Sequence, residues 1–203
     1  MQTSVTVDRP ARTRLPRAER RTQLLRAAAG VFVAGGFDGA SMEDVAQAAG
    51  VTRLIVYRIF ETKEALYRAV LDDVVDDVAT RFAARDAAPD AVRGTIPATL
   101  LAVARDHPDG FRLLWRHAAH EPAFASRAAE FRDATHGFAD GLLAHAVADV
   151  QLRRWAAESV SAHLYESICL WLDHGDPARD GEFLELLTGG VRGMVDRWRA
   201  AER

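Results

Sequence analysis

Between Ser41 and Phe60 the chain reads Ser-Met-Glu-Asp-Val-Ala-Gln-Ala-Ala-Gly-Val-Thr-Arg-Leu-Ile-Val-Tyr-Arg-Ile-Phe, and this segment restricts the fold more than any other. Ser41, with Asp44 three residues on, marks a helix start, because the two side chains satisfy backbone N–H groups that have no partner in a first turn. Met42, Val45, Ala46 and Ala49 follow at helical spacing and give one apolar face. Gly50 ends the helix, since a tight reversal needs backbone that a β-carbon hinders. Val51 points back into a small core. Thr52 is placed to cap a second helix that turns Val56 and Phe60 inward and Arg53, Tyr57 and Arg58 outward. Helix, glycine turn, helix is the arrangement by which a helix-turn-helix unit lays its second helix in a DNA major groove.

Charge is distributed as such a unit requires. The net charge is −3 over 203 residues, which taken whole disfavours a polyanionic partner. Residues 1–63 nevertheless hold ten Lys/Arg against six acids, a balance of +4, and the remainder stands at −7. A basic head on an acidic body is the footprint of a protein that meets phosphates at one end only. Hydrophobic residues make up 49% and charged residues 27%, within the globular range. Cys169 is the single cysteine, so no intramolecular disulfide forms and a reducing cytoplasm fits. Residues 1–16 contain no apolar run of the secretory type, and no segment approaches the roughly 20 apolar residues of a membrane span.

Periodicity and punctuation give an all-α fold of about nine helices, with no alternating strand pattern. Residues 1–16, with Pro10, Pro16 and three arginines, read as a basic arm, either a disordered tail or a segment that tracks the DNA backbone. A helix from Arg17 to Ala34 ends at Gly35-Gly36, and a fourth helix starts after Thr62 and extends to Arg85. Prolines and glycines then delimit helices over about 90–106, 109–119, 122–148, 150–174 and 179–200. The division is an arm at 1–16, a three-helix DNA-binding domain at 17–62 and a larger helical domain at 63–203.

The run from Arg20 to Leu71 resembles the N-terminal domain of the TetR family of transcriptional regulators. The resemblance rests on Arg20, Arg21, Leu24, Leu25, Ala28, Val31 and Phe32, on Gly35-Gly36-Phe37, and on Ser41 with Val45-Ala46. It continues through Ala49-Gly50-Val51-Thr52, Tyr57, Phe60 and Lys63-Glu64-Ala65-Leu66. It implies that Ser41, Thr52, Tyr57 and Lys63 contact phosphates, with Arg17 and Arg21 adding charge at the start of the first helix. Arg53, then Arg58, are the residues for base edges, because arginine grips guanine O6 and N7 through two parallel bonds. Leu54 or Ile55 then meets thymine methyls. Many members carry a small residue where this chain has Leu54, and Tyr or His where it has Ile59. Isoleucine cannot bond a phosphate, so Arg58 is placed to take over that contact.

The resemblance further implies a homodimer with a four-helix interface from the two C-terminal helices. Two apolar stripes fit that role: Val160, Leu164, Ile168 and Trp171 on one helix, and Phe183, Leu187, Val191, Met194 and Trp198 on the other, with Gly190 and Gly193 permitting close approach. The same stripes also fit packing inside one subunit. The middle helices are then expected to enclose a site for an apolar or aromatic effector, with Phe111, Trp115, Phe131 and His163 as candidate contacts. No cofactor, metal, membrane or catalytic role is expected. His117, His120 and Glu121 lack further ligands, and His163-x-x-Glu166 is the reverse of the paired Glu-x-x-His motif of a di-iron bundle. The reading is a cytoplasmic, ligand-responsive repressor on a palindromic operator. The competing reading is a helical small-molecule-binding or adaptor protein whose reading head no longer binds DNA.

Overall fold

The computed structural model describes residues 16–88 and 95–201, and every described element is helical. The basic arm up to residue 15, and residues 90–94 of the fifth expected helix, lie outside the described residues. α1 (Arg17–Gly39), α2 (Met42–Ala48), α3 (Arg53–Ile59) and α4 (Lys63–Ala87) come first. α5 (Ile96–Asp106) and α6 (Pro108–Arg112) follow; α6 runs into a π-type turn at Leu113–His117 and a tight 3₁₀ turn at Ala118–His120. α7 (Ala125–Leu143), α8 (Val150–His174) and α9 (Asp180–Ala201) complete the chain. α7 is shorter than the expected 122–148, and the segment expected as one helix over 109–119 is split by the π-type turn.

α1 does not stop at Gly35-Gly36. It bends at Gly36, which adopts φ 68° and ψ 176°, and resumes to Gly39. That conformation is open essentially to glycine alone. The bend persists because its backbone is held from two distant places. Phe37 N–H donates to Glu121 Oε1 at 3.0 Å, and Lys63 Nζ donates to Phe37 O at 2.6 Å and Ala40 O at 2.9 Å. Helix ends expose carbonyls that must find donors, and here one ammonium serves two of them.

The core is continuous from the head into the body. Leu24, Leu25, Ala28 and Phe32 on α1 pack with Val45 and Val56 of the reading unit and with Leu66, Tyr67, Val70 and Leu71 on α4. An aromatic cluster fastens the junction. Tyr67 stacks on Phe124 with centroids 4.1 Å apart, and Phe37 meets both edge-on at 5.5 and 5.1 Å. Such pairs contribute about 0.5–1.5 kcal/mol each beyond area burial. Because Phe124 and Glu121 lie just before α7 while Phe37 belongs to α1, the end of α1 is built into the larger domain.

In the larger domain α8 is the central helix. Val160, Leu164 and Ile168 are 6%, 7% and 0% exposed, and Leu187 of α9 is 5% exposed. These stripe residues expected at a dimer interface are interior to the subunit, because α8 is enclosed by α5, α7 and α9. Trp171, Phe183, Val191 and Met194 pack half-buried against the same core, and Trp198 against a smaller cluster around Ala139 and Ala156.

Candidate nucleic-acid interface

The reading head is assembled from local bonds and one long-range clasp. Ser41 Oγ accepts from Asp44 N at 3.2 Å, while Ser41 N donates to Asp44 Oδ2 at 2.9 Å. The capping box read from the sequence is therefore formed. The Ser41 hydroxyl also donates to Asp44 Oδ2 at 2.6 Å. This bond is the first cause holding the Asp44 carboxyl below its ordinary pKa. α2 ends in two bonds, Gly50 N to Gln47 O and Val51 N to Ala46 O at 3.1 and 3.0 Å. Gly50 sits between them at φ 63°, the left-handed terminator that glycine favours. Gln23 of α1 donates from Nε2 to Ala49 O at 2.8 Å, fixing the turn to the first helix. The sequence reading missed Gln23, since nothing local marks a polar residue on α1 as a clasp for a turn 26 residues away.

Thr52 stands at the N-cap of α3, but its side chain makes no capping bond. The cap expected there is not formed, because its backbone carbonyl takes the first turn instead, accepting from Ile55 N at 2.9 Å. Thr52 is exposed, and its hydroxyl is uncommitted within the head. On α3, Arg53, Leu54, Tyr57 and Arg58 are all exposed, Leu54 at 69%. Arg53 Nη2 donates to Tyr57 Oη at 3.3 Å, with its guanidinium 5.2 Å from the Tyr57 ring centroid. The pair is one helical turn apart, and the contact limits the freedom of both side chains before any partner arrives. Ile55 and Ile59 are half-buried, so of the two residues considered for thymine methyls, Leu54 is the one that projects.

The other expected contacts are placed differently. Arg17 is exposed at the start of α1. Arg21 leans over the Phe60 ring at 5.7 Å and lies 3.8 Å from Asp73 of α4. Lys63 is half-buried, its ammonium 4.3 Å from the Phe37 ring centroid and bonded to the two carbonyls at the end of α1. Two of its three donors are thus used inside the protein.

Above the head lies a cavity of about 540 Å³ between α4, the start of α5, α7, α8 and α9. Its closed end is made by Leu100, Phe131, Val160, Ser161, Leu164 and Tyr165, all buried. Its open side carries Phe138 and Leu142, 38% and 52% exposed, with Arg192 of α9. Of the four residues expected at an effector, Phe131 lines the cavity. Phe111 and Trp115 stand behind it, stacked on Tyr165 at 5.7 and 4.6 Å. His163 is exposed and does not line the cavity.

His163 instead marks the outer face of α8 and α9. A β-carbon on Gly190 would come within 3.2 Å of His163 Nε2. Leu170 lies two turns beyond His163 on α8, and Leu186 one turn before Gly190 on α9, so both fall on that face. They are 50% and 69% exposed, and Gly189, Gly190 and Gly193 are exposed beside them. Among the described residues no group of three or more His, Cys, Asp or Glu gathers as for a metal ion, and no helix is long and apolar enough to cross a membrane.

Comparison with known proteins agrees with this geometry. The pattern of the bacterial regulatory proteins of the tetR family matches residues 24–70. The HTH-type transcriptional activator FasR of Mycolicibacterium smegmatis is 52% identical over 58 residues, 29% of this chain and 26% of that protein. The match thus spans about a quarter of that relative's length. Over nearly the whole chain the likeness is one of fold. A TetR-like transcriptional regulator from Rhodococcus sp. RHA1 has a TM-score of 0.71 at 20% identity, covering 92% of this chain and 99% of that one. The fatty acid degradation regulator FadR from Bacillus halodurans has a TM-score of 0.57 at 19% identity, covering 88% and 99%. NalD, the secondary repressor of the MexAB-OprM multidrug efflux pump in Pseudomonas aeruginosa, has a TM-score of 0.56 at 21% identity, covering 85% and 96%.

Proposed function

From the chain's membership of the TetR family of bacterial regulatory proteins, a family of DNA-binding regulators rather than enzymes, we infer that it is a cytoplasmic, homodimeric, ligand-responsive repressor acting at a palindromic operator. The observation that carries the reading is the outward row on α3: Arg53, Leu54, Tyr57 and Arg58 are exposed on a helix whose Val56 is buried and whose supporting turn is closed by Gln23 and Gly50. Arg53, held by Tyr57, reads a guanine, and Arg58 a second base edge or a phosphate. Leu54 packs on a thymine methyl. Thr52 and Tyr57 bind phosphates, with Arg17 adding charge at the edge of the duplex. Ser41 reaches a phosphate only by giving up its donation to Asp44.

Two such heads are needed, because one short helix covers only a few base pairs. The outer face of α8 and α9, with Leu170, Leu186 and the exposed glycines, pairs with its copy, and the interior stripes hold that face rigid. The ligand-free dimer occupies its operator. An effector in the cavity touches α4 between Val75 and Arg85, while the first turns of α4 pack on α1 through Leu66, Tyr67, Val70 and Leu71. A ligand that prefers a different tilt of α4 therefore changes the separation of the heads, and only that preference does so.

The test is salt-titrated binding of the full chain to DNA flanking its own gene, beside random duplex. The expected result is tight, salt-sensitive binding with a sequence preference that Arg53→Ala weakens by about 1–3 kcal/mol while random binding changes little. Equal losses on both duplexes refute the base-reading role. Absence of salt-sensitive binding to any duplex refutes the regulator and leaves a helical ligand-binding protein.

A further inference from the structure

Ser161 and Tyr165 stand one turn apart on α8 at the closed end of the cavity, 3% and 5% exposed. Neither hydroxyl has a hydrogen-bond partner among the described residues. The fully enclosed oxygens left without a partner there belong to Tyr67 and Asp180, so the hydroxyls of Ser161 and Tyr165 are not sealed in protein and meet the cavity space. Tyr165 cannot swing away to find a partner. Its ring is stacked on Trp115 and on Phe111 and is met edge-on by Phe131 at 5.6 Å. Burial raises its phenol pKa, so it stays a neutral donor. The surrounding walls are hydrocarbon: Leu100, Phe131, Val160 and Leu164.

A wholly apolar ligand reaching this end would displace water from two hydroxyls and give nothing back, which is unfavourable for buried polar groups. At the open side the requirement is different. Arg192 is exposed at the rim and has no acidic partner among the described residues, whereas Arg85 is paired with Asp86 at 2.5 Å. The rim cation is the one available to an incoming anion.

We propose that the ligand is an elongated, mostly hydrocarbon molecule with an oxygen function at its inner end, bonded to Ser161 and Tyr165, and an anionic group at its outer end beside Arg192. This rests on the reading of the cavity as the effector site, and names its ligand class. A cavity of about 540 Å³ lies in the range that encloses most of a small organic molecule.

The test uses calorimetric titration of the full-length dimer with three probes of equal chain length: a long-chain fatty acid, its ω-hydroxylated form, and the methyl ester of the ω-hydroxylated form. Wild type is expected to bind the ω-hydroxy acid about tenfold tighter than the plain acid. Tyr165→Phe, which keeps the stack, and Ser161→Ala, which keeps the helix, each remove most of that preference. Arg192→Gln removes the preference for the acid over its ester and leaves the hydroxyl preference intact. Equal binding of the three probes to wild type overturns the ligand class, as does binding of none of them. Failure of the effector reading gives a distinct result: the ω-hydroxy acid binds with the expected preferences, yet the dimer's affinity for its operator does not change.

Discussion

Replacing Lys63 by methionine separates two roles for one ammonium group. The sequence places Lys63 at a helix N-terminus, where a phosphate contact is natural. The structure gives its Nζ to Phe37 O and Ala40 O at 2.6 and 2.9 Å and sets it over the Phe37 ring. Hydrogen bonds from a charged donor contribute about 1.5–3 kcal/mol each when buried. Lys63 is only half-buried, so the two bonds and the ring contact together are expected to contribute about 2 kcal/mol rather than their sum. Methionine keeps an unbranched apolar stem and removes only the donor. For a chain of this size Lys63→Met should therefore lower Tm by about 4–8 °C, measured at fixed protein concentration. DNA affinity should fall on all sequences alike, through the loosened end of α1. The slope of log affinity against log salt should stay within half a unit of wild type, because the lost cation was already committed inside the protein. A slope reduced by about one unit with unchanged Tm would show that the ammonium serves a phosphate, and would refute the tether.

Two further outcomes follow from other contacts. His107 lies between Asp73 at 3.3 Å and Asp77 at 3.2 Å, with Arg81 sharing Asp77 and reaching Asp106, and Arg21 and Arg26 facing Asp73. The Asp73 hydrogen bond raises the His107 pKa, and the same bond lowers that of Asp73. The imidazolium's contribution is complete below the unfolded value of about 6.5 and is lost as pH rises through the raised folded value. The carboxylate's contribution is present above the unfolded value of about 3.9 and is lost as pH falls through the lowered folded one. Wild type should therefore lose Tm as pH rises from about 6.5 through the raised folded value of His107, and His107→Gln should lose markedly less; parallel profiles would dismiss the pair. On the outer face of α8 and α9, Leu186→Arg sets a charge where two copies are proposed to meet. Sedimentation should show a monomer at micromolar concentration with its helical content retained, and operator binding should drop by more than tenfold; a persistent dimer would place the interface elsewhere.

The parts of the fold legible in the sequence are those whose causes are local. The capping box of Ser41 and Asp44, the left-handed Gly50 and the cap of Thr62 on α4 each involve residues within a few positions of one another, and each is formed. The end of α1 was not legible. Gly35-Gly36 reads as a stop, but the backbone beyond it is rescued by Lys63, 26 residues on, and Glu121, 84 residues on, and no periodicity announces such partners. The same limit applies to the stripes on α8 and α9. A core face and a dimer face have the same spacing of apolar residues, and only the placement of α5 and α7 around α8 assigns Val160, Leu164 and Ile168 to the interior. The cavity is a still less local object, since five helices contribute to it. Aromatic richness pointed to its neighbourhood, and Phe131 lines it, while the polar groups at its two ends, Ser161 with Tyr165 and Arg192, carry no signal until the helices are assembled.

The backbone of Phe37 joins these levels. Its N–H is held by Glu121, next to Phe124 and just before α7, and its carbonyl by Lys63 at the start of α4. Any movement of α7 or α4 around an occupied cavity must therefore either carry the end of α1 with it or break one of these bonds. α1 in turn holds the reading turn through Gln23 and Ala49 O. These bonds add to the packing of α1 against both α4 and α6, so a shift of α4 relative to α7 is expected to tilt α1, and the head with it, rather than to reshape the head. In the proposed dimer, rotation of the whole head, with the internal geometry of α2 and α3 unchanged, would alter half-site spacing while leaving the contacts of each α3 with its own half-site intact. For that reason the coupling is expected to change how two heads fit one operator and to leave the preference of each head for its own bases unaltered.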